Sequence, residues 1–335
     1  MSSSFFSRAF SATLALFVLI GSTVAVAPAH AAVNLKSTDD FLRGSFVGGE
    51  YLEGFTPGKP DFGFTLEAMI QRRGLGESLE SLAPAVKFAL ENAAVTGTNL
   101  KPVGYLFDAA GKPKLGMAGK FAYASALLNA KNLKVRTAVL NVLRSKIDGT
   151  GDFATDTNAN TYDRAWVVLG LAANGSIKQA TTLAARMVGH QLKSGGFNDG
   201  YDLGVGSPDG TGIVLQALAS VKQSGTNGQG RLFAKSIKRA VAYLRGSAIG
   251  GNHFESYGDA NVNGTAYALM GLTAVGVRSG TMQAWLKQQL ATDGGIATPW
   301  SGGNGDVYAT AQGAIALVGL DYGNLNARGK FGGTQ

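Results

Sequence analysis

Two kinds of apolar pattern alternate along the chain. From 177 to 192, apolar residues stand at 177, 180, 183, 184, 187, 188 and 192, with Lys, Gln, Thr and Arg between them. That is the 3.6-residue stripe of a helix buried on one side only. From Trp166 to Ala173, and again from Ala266 to Ala274, nearly every position is apolar, which predicts helices covered on all sides. The first kind predicts outer helices near 36–47, 80–92, 132–147, 177–193, 230–245 and 279–290. Each is followed by a polar, glycine-containing loop and an apolar run: Asp61 to Ile70, Gly119 to Leu128, Tyr162 to Leu171, Asp209 to Leu218, Asn263 to Leu272 and Tyr308 to Leu317.

Internal repetition supports the same division. Phe41-Leu42-Arg43-Gly44-Ser45-Phe46-Val47-Gly48-Gly49 and Tyr243-Leu244-Arg245-Gly246-Ser247-Ala248-Ile249-Gly250-Gly251 are close copies in equivalent places. A repeat of this length is one supersecondary unit that buries its apolar face only against neighbours. The first and last inner helices are as apolar as the others, whereas an open solenoid needs polar capping repeats. The expectation is an all-α fold, a closed α6/α6 toroid of six inner and six outer helices spanning 33–323, with a flexible C-terminal tail at 324–335.

Composition adds limits. Of 335 residues, 45% are apolar and 16% charged, which suits a globular core and not a disordered chain. There is no Cys, so thiolate nucleophiles, disulfides and Cys-ligated metals are excluded. Leu14 to Ile20 form an apolar run and Ala29-His30-Ala31 a small-x-small site, so residues 1–31 read as a signal peptide cleaved after Ala31 or Ala32. The expected product is secreted, with no membrane anchor after cleavage. The formal charge is +8 and falls to +7 when the leader's one Arg is lost. No Lys/Arg run interleaved with aromatics points to nucleic acid, while weak attraction to anionic cell-wall polymers fits a mildly basic exported protein.

The loops Gly195-Gly196-Phe197-Asn198-Asp199-Gly200 and Asp293-Gly294-Gly295-Ile296, each leading from an outer to an inner helix, resemble the glycine-aromatic repeats of the squalene cyclase and protein prenyltransferase α/α-toroid superfamily. The resemblance covers essentially all of the expected mature chain. It implies the toroid, and either zinc-dependent prenyl transfer or cyclisation started by a protonated carboxyl. The stretches matching the zinc-binding motifs read Asp209-Gly210-Thr211 and Asp306-Val307-Tyr308-Ala309, with Thr and Ala where the thiolate and imidazole would stand. The nearest approach to an acidic protonation motif is Thr38-Asp39-Asp40, on the first outer helix. No metal and no cofactor is therefore expected.

Other chemistry gathers in the loops that enter the inner helices. Asn252, His253, Glu255, Tyr257 and Asp259 have the residue types of a polysaccharide lyase, and are equally ordinary turn formers. Asp199, Asp202 and Asp209 could serve as hydrolytic carboxylates or oxygen ligands, with Asp209 also placed to cap a helix. Tyr123, Trp166 and Tyr267 fall at one level of the ring, as a ligand-stacking belt or as packing. Because the long connections all run from outer to inner helix, they should build one mouth. Its expected ligand contacts are Tyr162, Asp209, His253, Tyr257, Trp300, Asp306 and Tyr308, taking a cell-wall polysaccharide or an apolar small molecule. The leading expectation is a secreted non-catalytic ligand-binding or cell-surface protein. The alternatives are a polysaccharide lyase or hydrolase, and a terpene cyclase/prenyltransferase-like enzyme with an atypical site.

Overall fold

A computed structural model describes residues 35–93, 95–96, 99–100, 104–128, 133–147, 160–200, 203–222 and 230–325. The expected signal peptide, Asp202 and the tail from 326 onward lie outside the described residues. No described helix is long and apolar enough to cross a membrane.

The outer helices are α1 (Leu35–Gly44), α3 (Ala83–Glu91), α5 (Leu133–Lys146), α7 (Ile177–Gly189), α9 (Gly230–Ser247) and α11 (Gly280–Gln288). Their inner partners are α2 (Phe62–Gly74), α4 (Leu115–Leu127), α6 (Thr161–Ala173), α8 (Pro208–Lys222), α10 (Val262–Ala274) and α12 (Val307–Gly313). The last inner element tightens into a 3-10 turn, Ala314–Val318, and the chain ends its described course in α13 (Tyr322–Leu325). Successive inner helices pack on one another, and α2 also packs against α12, as does α1. The first and last repeats are thus in direct contact. Arg72 on α2 fixes α1 by donating from Nε to Asp39 Oδ1 at 2.9 Å, so the Asp39-Asp40 pair is held away from the inner ring's interior.

Glycine lets the inner helices approach closely. A Cβ on Gly119 of α4 would stand 2.5 Å from the backbone N of Val167 on α6, and one on Gly271 of α10 would stand 2.5 Å from the carbonyl of Gly212 on α8. Both distances are below any real contact, so these crossings exclude every other residue. Their close approach offsets a helix-propensity cost of about 1 kcal/mol per glycine.

A repeated stitch fastens four of the long loops to the helix that follows each. Thr65, Thr211, Thr265 and Thr310 sit one turn into α2, α8, α10 and α12. Their Oγ1 atoms accept hydrogen bonds from the backbone N of Leu52 at 3.0 Å, Phe197 at 2.9 Å, Phe254 at 3.0 Å and Ile296 at 2.8 Å. Thr211, which stands in place of a zinc thiolate in the motif comparison, thus has a structural task here.

The space between the inner helices is filled at the short-connection end by α13. The Tyr322 hydroxyl accepts from Gln71 Nε2 at 2.6 Å, its backbone N donates to Gln216 Oε1 at 2.8 Å, and its carbonyl accepts from the Tyr123 hydroxyl at 2.8 Å. Trp166 lies 5.1 Å from the Tyr322 ring and Tyr267 lies 6.3 Å from it. Tyr123 and Trp166 are therefore fully buried packing around Tyr322 and not an exposed belt. Asn324 and Leu325, read from sequence as the start of the tail, belong to α13, where Leu325 is buried.

Candidate active site

Helix starts decide where the polar groups of the mouth point. An N-cap side chain accepts a backbone N–H of the first turn and is thereby held at the rim. Asp61 caps α2 through the N–H of Phe64 at 2.9 Å, Asn160 caps α6 through Asp163 at 2.7 Å, and Asn261 caps α10 through Gly264 at 2.7 Å. Asp306 caps α12 through Ala309 at 2.7 Å. In α8 the cap is Ser207, whose Oγ accepts from the N–H of Gly210 at 3.1 Å. Asp209, expected as a possible cap, lies inside the first turn with its carboxyl released from that duty.

The inner helices and the loops that enter them border an open cavity of about 510 Å³, within the range of small-molecule sites, roughly 300–1,000 Å³. Its walls carry Asp61, Glu67, Lys120, Asn160, Asp199, Asp209 and Gln312 together with Phe64, Tyr162 and Tyr267. Asp209 keeps some surface as a residue, yet its Oδ1 is sealed from solvent and has no hydrogen-bond partner among the described residues. Burial, reinforced by the neighbouring Asp199 charge, pushes its carboxyl up to about 7. The charged form is disfavoured by desolvation and by a like charge together.

Glu67 presents the second carboxyl. It is 0% exposed in the middle of α2, ion-paired to Lys120 of α4, and it accepts from the Tyr267 hydroxyl at 3.2 Å. All of these contacts use Oε1; Oε2 is buried and unpartnered among the described residues. The Tyr162 hydroxyl is 2.6 Å from that of Tyr267. Because Tyr267 directs its proton to Glu67, Tyr162 donates in turn, which gives the chain Tyr162 to Tyr267 to Glu67. Burial and then the Glu67 charge push both phenols well above their ordinary range, so both remain protonated hydrogen-bond donors. Lys120 also sits 5.1 Å from the Trp166 ring, in a cation-π contact.

Two of the seven expected contact residues, Tyr162 and Asp209, line this cavity. Tyr308 packs 4.3 Å from Phe64, which does line it. The others are not among the lining residues. His253 stacks on Trp285 of α11 at 4.8 Å and bonds Asn252 through Nδ1 at 2.6 Å. Tyr257 is fully exposed at the tip of the hairpin formed by Phe254–Ser256 and Asp259–Asn261, with a left-handed φ of 56°. Trp300 is exposed on the last long loop, and Asp306 is engaged as a cap. The sequence reading missed Glu67 and Lys120. Their signal was a charge in the middle of an otherwise apolar helix, which is costly unless partnered. Among the described residues no cluster of three or more His, Asp or Glu is arranged to hold a metal.

The chain has the α/α-toroid fold. It is similar to a variant of the type II terpene cyclase MstE from Scytonema in complex with its substrate geranylgeranyl dihydroxybenzoate. The TM-score is 0.62 at 14% identity, covering 87% of this chain and 97% of that one. It is also similar to an inactive variant of the α-1,6-mannanase of Salegentibacter in complex with α-1,6-mannotriose, with TM-score 0.58 at 11% identity, covering 87% and 98%. A third similar structure is a protein from Actinoplanes, with TM-score 0.60 at 12% identity, covering 85% and 98%. No protein-family model matches the chain, and no curated protein matches it in sequence. At these identities the likeness is one of fold, and fold alone does not fix chemistry.

Proposed function

We propose that this chain is a closed α6/α6 toroid, exported from the cell, that hydrolyses glycosidic bonds in its long-loop mouth with Asp209 as general acid. The observation that carries this is the Asp209 carboxyl, free of capping, sealed at Oδ1 and pushed up to about 7 on the wall of a polar cavity. Glycoside hydrolysis needs one carboxyl that holds a proton and one that does not, and environments that separate such a pair assign the two roles. Asp209 would give its proton to the leaving glycosidic oxygen as the bond to the anomeric carbon breaks. Glu67, ion-paired to Lys120 and lining the cavity, would be the carboxylate of the pair; its Oε2, buried in the ligand-free chain, would turn into the cavity to take a proton from the water that attacks that carbon. Tyr162 and Tyr267, whose two protons run in the chain to Glu67, would hold Glu67 in place, and the Tyr162 oxygen would accept from a sugar hydroxyl.

Ring closure is supported by the packing of α2 and α1 against α12. A lining of four carboxyl side chains, an ammonium and two amides suits a hydroxyl-rich ligand. A mannanase shares the fold, and the oligosaccharide in complex with it is neutral. A binding role without catalysis leaves two unpartnered buried carboxyl oxygens without a purpose. Elimination by a lyase would need a basic Tyr or His, whereas the two phenols of the cavity are held protonated and His253 is stacked on an outer helix. One further reading has a specific observation in its favour: a protonated Asp209 beside the rings of Tyr162 and Tyr267 could start the cyclisation of an alkene, as in a terpene cyclase. The number of polar groups around the cavity favours the saccharide.

The test is release of reducing ends from soluble mannan, glucan and xylan by the wild-type chain and by Asp209→Asn and Glu67→Gln. Activity on at least one glycan is expected, falling as pH rises through about 7. Each variant should lose about 10²- to 10⁴-fold, the range of one acid–base group. Release by Asp209→Asn at the wild-type rate, or conversion of a prenyl substrate and of no glycan, would overturn the reading.

A further inference from the structure

Of the exposed large apolar side chains among the described residues, only Leu79 lies outside the connections that lead from an outer to an inner helix. Phe55 stands out among the rest because it is joined to the cavity. It is 85% exposed at the tip of the loop between α1 and α2, and its ring lies 4.8 Å from Tyr308. Tyr308 lies 4.3 Å from Phe64, and Phe64 lines the cavity. Three rings therefore run without a break from open solvent into the site.

The loop that carries Phe55 is held firmly. Glu53 pairs with Pro60 as an antiparallel bridge, and the N–H of Gly54 donates to Lys59 O at 2.8 Å. The Tyr308 hydroxyl, from the other end of the chain, donates to Glu53 O at 3.1 Å. A large apolar ring kept in water on a braced loop gains nothing for folding, since burial is what stabilises it. Its use is contact with something that arrives. The negative face of an aromatic ring attracts the polarised C–H groups of a pyranose face, so a run of rings is a track for successive sugar units.

We propose that Phe55, Tyr308 and Phe64 form an entry subsite along which a polysaccharide chain reaches the cavity, so that the ligand is a polymer extending beyond the cavity and not a short oligosaccharide. This rests on the saccharide reading above and adds the length of the substrate to it. Phe55 is the specificity-determining member, because it lies outside the cavity and contacts only units beyond the cleaved bond.

Affinity gel electrophoresis in soluble mannan, glucomannan, xylan and dextran tests it, run with the wild-type chain, Phe55→Ala, Leu79→Ala and Asp209→Asn. At least one polymer should retard the wild type and Leu79→Ala alike. Phe55→Ala should bind that polymer about tenfold more weakly, equivalent to about 1.4 kcal/mol, while melting like the wild type. The corresponding trimer should bind Phe55→Ala and wild type equally. Unchanged retardation of Phe55→Ala, equal weakening by Leu79→Ala, or no retardation by any polymer would overturn the proposal. If Phe55→Ala binds normally while Asp209→Asn alone stops hydrolysis, the entry subsite is wrong and the saccharide reading stands. If Phe55→Ala weakens binding but no polymer is cleaved, the subsite stands and the hydrolytic reading fails.

Discussion

Replacing Asp209 with Asn should stabilise the protein above neutral pH. The folded-state carboxyl titrates near 7 against a reference of 3.8, a rise of about three pH units, each worth about 1.4 kcal/mol. Between those two values the folded chain holds a proton that the unfolded chain has released. Stability therefore falls as pH rises from about 4 to about 7 and is level above it. The full effect is about 4 kcal/mol, and about half of that where solvent entering the cavity screens the charge. Asn keeps the shape and cannot ionise, so the variant lacks this loss. Urea unfolding of both proteins at pH 4, 5.5, 7 and 8 isolates it, because every titrating group that does not feel the Asp209 charge cancels in the difference. The variant should match the wild type at pH 4 to within the cost of exchanging O for NH₂, and exceed it by about 2–4 kcal/mol at pH 8. A difference that stays constant over this range, or that shifts in favour of the wild type as pH rises, would mean that Asp209 is ionised against a partner, and would remove the basis for its role as an acid.

Four other substitutions probe the scaffold. Lys120→Met should cost about 3–5 kcal/mol by leaving the fully buried Glu67 without its cation; Lys120→Met combined with Glu67→Gln should recover most of it, as read by urea denaturation. Gly119→Ala should lower the melting temperature, at a cost of about 1–3 kcal/mol or more, because the new Cβ meets Val167 N at 2.5 Å. Gly246→Ala on outer helix α9 has open space around it and should gain about 0.5–1 kcal/mol. Tyr322→Ala should cost about 3–5 kcal/mol and open the short-connection end of the ring, detectable as increased binding of an apolar dye.

The repeats were legible because an inner helix and an outer helix differ in composition over a whole length, not at single positions. The run from Ile177 to Gly189 and that from Thr161 to Ala173 obey different periodicities, and the helices fall within a few residues of the expected spans. Boundaries shifted where a local interaction won. The outer helix expected to continue to 47 stops at Gly44, because Phe46 and Val47 pair with Leu52 and Tyr51 in a hairpin. Gly323 and the residues beside it looked like a loose end, since composition alone does not show that a buried Gln71 and Gln216 wait for the backbone and hydroxyl of Tyr322. Those partners lie more than a hundred positions away.

The site was harder to read for a related reason. Loops rich in Gly, Asn, Asp and aromatics look chemical in a sequence, yet here most of their polar groups are consumed by turns and caps, as Asp306 and Asn261 are. Chemistry instead resides where a polar group is left over. Asp209 qualifies because Ser207, two residues earlier, has already capped α8. Glu67 qualifies because Lys120 and Tyr267 satisfy only one of its two oxygens. A buried carboxyl oxygen without a partner costs about 1–3 kcal/mol or more. The two carboxyls that bear that cost face the same cavity from α2 and α8, and Tyr162, whose hydroxyl responds to both charges, lies in the field of each. A scaffold that stitches four of its loops with the same threonine leaves these two carboxyl oxygens unmet beside one cavity, which is why the proposed chemistry is placed there.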